Sequence, residues 1–219
     1  MVFLKDLKLE IVLFEELAST QRYLTQQIKA KKLNAPVAVR AKKQTQGVGS
    51  RDNGWESDEG DLLFSFALNI DSLPLDLPLS STSIYFAYLM REILDTKPCD
   101  KVWFKWPNDI YVKNLKIGGV ITQKVGEILI CGMGINLSPK VSFGYLDTDK
   151  SAQVIFLEYL KAFLNPPSWN DIFSKYRVEF DKNKSVFSHI DGHYIDLKDA
   201  ILQDDGSLII NNKRVYSLR

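Results

Sequence analysis

The chain has 219 residues, 45% hydrophobic and 25% charged, with a formal net charge of +1. That suits one medium domain with a substantial core, and the near-neutral balance gives no bulk electrostatic case for nucleic acid or an anionic membrane. Two cysteines without a Cys-x-x-Cys pair and two histidines argue against a zinc site, and no basic-then-apolar leader or long apolar run is present, so a cytoplasmic protein without a membrane span is expected.

Leu9–Phe14 reads as a strand. Ser19-Thr20 then precede Tyr23, Leu24, Gln27 and Ile28 at helical spacing, with a Ser or Thr cap. Pro36–Ala41 reads as a short strand. Lys42 to Trp55 is polar, carries glycines and lacks apolar periodicity, so it reads as a long loop, of the kind that is commonly functional. Leu62–Ile70 is a strand, Leu73 to Pro78 a proline-punctuated loop, and Ser80–Leu94 a helix.

Three antiparallel strands follow, Val102–Lys105, Ile110–Val112 and Ile117–Lys124, with Lys113-Asn114 as the turn between the last two. Glu127–Gly132 is a fourth, after a turn at Gly126. Ser151–Leu164 and Trp169–Phe180 are helical, separated by Pro166-Pro167. From Ser185 onward, short apolar runs alternate with Asp191-Gly192, Asp204-Asp205-Gly206 and Asn211-Asn212. That pattern reads as a small all-β unit packed on the rest. The expected division is 1–182 and 183–219.

Lys105-Trp106-Pro107-Asn108-Asp109 and Lys116-Ile117-Gly118-Gly119 place charge inside apolar, strand-forming sequence. Burying a charge is costly unless it is paired or binds something. Asn108 offers donors and acceptors, Lys116 a point charge, and Gly118-Gly119 a close backbone approach. The plain alternative is a Lys–Asp surface pair beside an ordinary hairpin with a glycine bulge.

In the loop Gln44 to Trp55, Gly47 and Gly49 let backbone wrap a ligand, Arg51 can meet a phosphate and Trp55 can stack on a ring. It is not a Walker loop. The alternative is a flexible surface loop ending in a buried tryptophan. Ser19-Thr20-Gln21 reads first as a helix cap, and Gly132-Met133-Gly134-Ile135-Asn136 as a bulge and turn. His189 and His193 flank a hairpin turn and suggest no metal pair. Cys131 reads as buried and inert.

Taken in order, these four segments resemble the biotin protein ligase family from about Phe14 to Leu137. The family's central motif is similar to Lys105 to Asp109 with Lys116 beyond it, and its glycine–arginine loop to Gln44 to Trp55. Its Ser-Thr-Asn segment is similar to Ser19-Thr20-Gln21, and its Gly-x-Gly-Ile-Asn segment to Gly132 to Asn136. The resemblance implies an α+β fold, a mixed or antiparallel sheet flanked by helices of the class II synthetase type. It also implies a small C-terminal SH3-like β domain.

The activity it implies is adenylation of biotin by ATP, with Mg²⁺ bound mainly through phosphates, then transfer to a lysine of a biotin carboxyl carrier protein. Lys116 is implied as the catalytic charge. Ser19, Thr20, Gln21, Gln44, Gly47, Val48, Gly49, Ser50 and Gly119 are implied for biotin. Arg51, Trp55, Lys105, Asn108 and Asn136 are implied for ATP, and no protein-held metal is expected.

Several positions depart from the family pattern. The loop keeps only Arg51 of a usually arginine-rich run, Gln21 replaces Asn, and Gly118 stands where Ala is common, a change expected to matter little. Some relatives carry an N-terminal helix-turn-helix. Here the pattern begins almost at Met1, so DNA binding is not expected. A lipoate or octanoate protein ligase of the same superfamily is the alternative.

Overall fold

A computed structural model of the chain describes residues 2–4, 9–50, 53–94, 102–190 and 192–217. In chain order it forms β1 (Val2–Leu4), β2 (Leu9–Leu17), α1 (Thr20–Lys29), β3 (Val37–Gln44), β4 (Gly47–Val48), β5 (Gly54–Trp55), β6 (Leu62–Asn69) and α2 (Thr82–Leu94). There follow β7 (Val102–Lys105), β8 (Asp109–Val112), β9 (Leu115–Val125), β10 (Ile128–Ile135), α3 (Ala152–Lys161) and α4 (Trp169–Glu179). The C-terminal strands are β11 (Phe187–Ile190), β12 (His193–Asp196), β13 (Ile201–Leu202), β14 (Leu208–Ile210) and β15 (Lys213–Val215).

An eight-stranded sheet in the order β1-β2-β3-β6-β10-β9-β8-β7 forms the frame. Its neighbours are antiparallel except β2 and β3, which run parallel. A parallel pair cannot be closed by a hairpin. Here α1 carries the chain across, capped by Ser19, whose side chain accepts the Arg22 N–H. The sheet is thus mixed, as expected.

Strand alternation sorts side chains onto two faces. On one, Ala38, Phe64, Phe66, Cys131 and Ile135 pack against α2, α3 and α4 in a large buried core. Phe66 meets Phe86, Tyr159 and Phe163 with ring centroids 4.9–5.9 Å apart. Each such pair adds about 0.5–1.5 kcal/mol beyond area burial. Cys131 is fully buried and free, and burial pushes its thiol well above the ordinary value. On the other face, Val37, Val39, Ala67 and Ile130 pack under Leu24 and Ile28 of α1.

The C-terminal strands form two small sheets, β11-β12 and β13-β14-β15. Their Ile190, Leu208 and Ile210 join the large core. Backbone carbonyls of the β13–β14 turn accept from two indoles, Trp106 Nε1–H to Gly206 O and Trp169 Nε1–H to Asp204 O, both at 3.0 Å.

Two local expectations need correction. Lys42 to Trp55 is not loop throughout: β3 extends to Gln44, and β4 pairs with β5. Polar side chains on an extension beyond the core leave no apolar alternation to read. The Gly132–Gly134 region is not a bulge either. Its residues pair in unbroken register with both neighbours, Gly132 with Ser65 and Ile121, Gly134 with Leu63 and Gly119.

Candidate active site

On the α1 face of the sheet, the start of α1 lies beside glycine-bearing stretches of β9 and β10. A pocket lies there, between the start of α1, the sheet and the β4–β5 hairpin. The glycines exist because neighbours need their space. A Cβ at Gly132 would stand 2.6 Å from Gln21 Oε1, and one at Gly134 would stand 2.5 Å from the Trp55 ring.

The inner end of the pocket is polar and tightly connected. The N–H and hydroxyl of Thr20 both donate to Gln44 Oε1, at 2.7 and 3.0 Å. Ser65 donates its hydroxyl to Thr20 Oγ1 at 2.9 Å. Gln44 is fixed in turn by Ser57, which bonds both its N–H and its carbonyl. Beside this chain, Gln21 Oε1 is buried without a protein hydrogen-bond partner. A buried acceptor of that kind is costly unless a ligand or water donates to it. Ser19 is both the α1 cap and a pocket wall.

Lys116 owes its position to a register irregularity. Asp109 pairs with Gly119 and Ile110 with Gly118, but Tyr111 pairs with Lys116, so Ile117 is the extra residue of a bulge. In an unbroken strand Lys116 and Gly119 would face opposite sides. The bulge brings Lys116 onto the pocket side with Gly119 and Ile121, while Ile117 and Val120 enter the core. Lys116 Nζ then lies 2.6 Å from Asp109 Oδ1 and 5.9 Å from the Trp55 ring centroid. The charge–burial conflict in the sequence is resolved by this half-buried pair. Gly118 faces inward, where a Cβ would meet Ile135 Cδ1 at 2.4 Å and Gly134 O at 2.9 Å. The departure at Gly118 therefore matters: this packing has no room for alanine.

A second cleft adjoins the first and shares Gly49, Ser50, Trp55 and Lys116 with it. Its far walls are Glu56, Asn136 and Phe143. Asn136 donates Nδ2–H to Gly144 O at 2.9 Å, while its Oδ1 and Trp55 Nε1 are buried without protein partners.

The expected site residues divide as follows. Ser19, Thr20, Gln21, Gln44, Val48, Gly49, Ser50, Trp55, Asn108, Lys116 and Gly119 converge on the pocket. Asn136 lines the cleft. Gly47 backs the hairpin rather than lining the pocket; a Cβ there would be 2.5 Å from Trp55 O. Arg51 lies outside the described residues. Lys105 lines neither cavity. Its Nζ is 3.3 Å from the Tyr111 hydroxyl and 5.1 Å from that ring's centroid. Burial lowers the Lys105 ammonium below its ordinary value, with Asp109 opposing and Lys116 adding to the shift. Asn108 donates Nδ2–H to Val120 O at 2.7 Å, so it ties the turn before β8 to β9 as well as lining the pocket.

Sequence reasoning passed over Ser65, Gly132, Gly134, Glu56 and Phe143 as site residues. Ser65, a lone hydroxyl in an otherwise apolar strand, was a usable signal. It also missed Asn183, which accepts the Trp106 N–H at 2.7 Å and donates to Phe104 O at 3.0 Å. Asn183 thereby fixes the turn that carries Asn108 and Asp109.

The pocket and the adjoining cleft thus meet at Lys116. Residues 13–138 match the profile of the Biotin/lipoate A/B protein ligase family, and the chain belongs to that family. It is similar to the crystal structure of biotin acetyl coenzyme A carboxylase synthetase from Helicobacter pylori with bound biotinylated ATP: 38% identity, TM-score 0.90, covering 94% of this chain and 99% of that one. Among curated relatives it is 34% identical over 101 residues to biotin–protein ligase 2 of Arabidopsis thaliana, covering 43% of this chain and 31% of the relative. It is 30% identical over 126 residues to the bifunctional ligase/repressor BirA of Escherichia coli, covering 55% of this chain and 38% of the relative. The chain thus spans well under two thirds of either curated relative. Among the described residues, no helix is long and apolar enough to cross a membrane.

Proposed function

We propose that this chain is an ATP-dependent biotin protein ligase of the cytoplasm. The observation that carries the reading is Lys116 at the junction of a polar-ended pocket and an adjoining cleft. Biotin enters the pocket with its ureido group toward Thr20, Gln21, Gln44 and Ser65 and its carboxylate toward Lys116. ATP lies in the cleft, its adenine against Trp55 with Asn136 nearby and its α-phosphate toward Lys116.

The carboxylate oxygen attacks the α-phosphorus, the bond to the bridging oxygen breaks, and pyrophosphate leaves. Two anions approach one another in this step, and a fixed cation where negative charge builds up lowers the barrier. Asp109 holds that cation in place. The product, biotinyl-AMP, is a mixed anhydride, and the β4–β5 hairpin shields it from water. The amine of a carrier lysine then attacks the acyl carbon, AMP leaves, and the amine gives up a proton. The partner is a biotin carboxyl carrier domain of acetyl-CoA carboxylase or a related carboxylase.

Among the described residues, Asp109 is tied to Lys116, Glu56 is the carboxylate that lines the cleft, and no group of three metal-ligating side chains occurs. The residues fit an Mg²⁺ carried on the nucleotide's phosphates better than one held by the protein.

The polar inner end favours biotin over lipoate, because an apolar dithiolane would leave the buried Gln21 Oε1 without a donor. ATP–pyrophosphate exchange tests the first half-reaction. Exchange that depends on biotin is expected; exchange driven by lipoate or octanoate alone would overturn the choice of substrate.

A further inference from the structure

The segment from Leu137 to Asp149 contains no helix or strand, yet it carries a cleft wall, Phe143. What holds it is a buried charge. Asp61 is fully buried, and Lys140 exposes 5% of its side chain. Asp61 Oδ1 accepts the N–H groups of Leu137 at 3.0 Å and Ser138 at 3.2 Å. Its Oδ2 accepts from Asp58 N at 2.9 Å and from Lys140 Nζ at 2.6 Å. Lys140 also bonds the more exposed Asp58, and Ser138 donates its hydroxyl to Glu59 O at 2.9 Å.

We propose that the Asp61–Lys140 pair is a positioning device that sets the separation of the two cleft walls, and through it the binding of the nucleotide. The proposal rests on reading that cleft as the ATP site. Asp61 sits between Trp55 and Glu56 of one wall and the start of β6. Leu137 and Ser138 follow directly on Asn136 of the other wall. Beyond Lys140 the segment returns to the site, where Gly144 N donates to Lys116 O at 3.0 Å and Leu146 N donates to Asn136 O at 2.9 Å. One carboxylate therefore joins both walls at their bases. An apolar contact could slide by an ångström at little cost, whereas a buried ion pair cannot, because either charge left alone is poorly solvated.

The test is steady-state adenylate formation by the full chain, with ATP and biotin varied separately, in Lys140→Met and Lys140→Arg. In Lys140→Met the KM for ATP should rise at least about fivefold while the KM for biotin stays within about twofold. Lys140→Arg, which keeps the charge and two donors, should restore the KM for ATP. If Lys140→Met does not fold, the Asp61→Asn/Lys140→Met double variant, without a lone buried charge, is measured in its place and should show the same split. An unchanged KM for ATP, or equal rises for both substrates, would overturn the proposal. A wild-type chain that forms no adenylate at all would instead overturn the ligase reading.

Discussion

Asp109 Oδ1 and Lys116 Nζ lie 2.6 Å apart across adjacent strands, and only the bulge at Ile117 lets them face the same side. A Cβ at Gly119 would sit 3.4 Å from Asp109 Oδ1 and 3.5 Å from Lys116 Nζ, so this glycine keeps the approach to the pair open. The carboxylate aims the lysine, and the glycine leaves room for what it is aimed at.

Lys116→Ala should therefore lower the rate of adenylate formation about 100- to 1000-fold, the scale for removing one fixed electrostatic donor. Asp109→Asn keeps Lys116 but loosens its aim, and should lose less. Single-turnover formation of biotinyl-AMP measures both. A near-normal rate in Lys116→Ala would remove Lys116 from its assigned role.

The two strand glycines should separate the ligands. Gly134→Ala forces the Trp55 ring away, and Gly132→Ala forces Gln21 away. Each overpacks the site at about 1–3 kcal/mol. The KM for ATP should rise mainly in Gly134→Ala and the KM for biotin mainly in Gly132→Ala. The reverse pattern would contradict the assignment of pocket and cleft.

Asn183→Ala should destabilise the fold by about 2–5 kcal/mol, because it strands the buried Trp106 N–H and Phe104 carbonyl. Denaturant unfolding measures this. A loss under about 1 kcal/mol would show that water replaces the amide.

Much of this was legible locally. The meander from β7 to β10 follows from apolar runs and turn residues, and the α1 cap from Ser19. Other features lie between residues remote in sequence: the parallel β2–β3 pairing, the glycines cut to fit Gln21 and Trp55, and the hold of Asn183 on Trp106. Strand periodicity reports which face a side chain takes, not what stands opposite it. A bulge was expected only as a bland alternative and at glycine; it falls at Ile117, and it is what turns Lys116 toward the pocket.

Lys140 supplies a pH signature. Burial alone would lower its ammonium, but the hydrogen bonds to Asp58 and Asp61 outweigh this and hold it above the ordinary value of 10.5. A base with a raised folded value stabilises fully below its unfolded value and loses that contribution as pH rises through the folded one. The Tm gap between wild type and Lys140→Met should be level up to about pH 9 and narrow above about pH 10.5. A gap that widens in alkali would contradict the pairing.

The most direct test of the central claim is the mass of a biotin carboxyl carrier domain after incubation with the full chain, ATP, Mg²⁺ and biotin. The account predicts a gain of one biotinyl group on the carrier lysine, dependent on ATP and absent when lipoate replaces biotin. No gain with biotin, or a gain with lipoate alone, would contradict it.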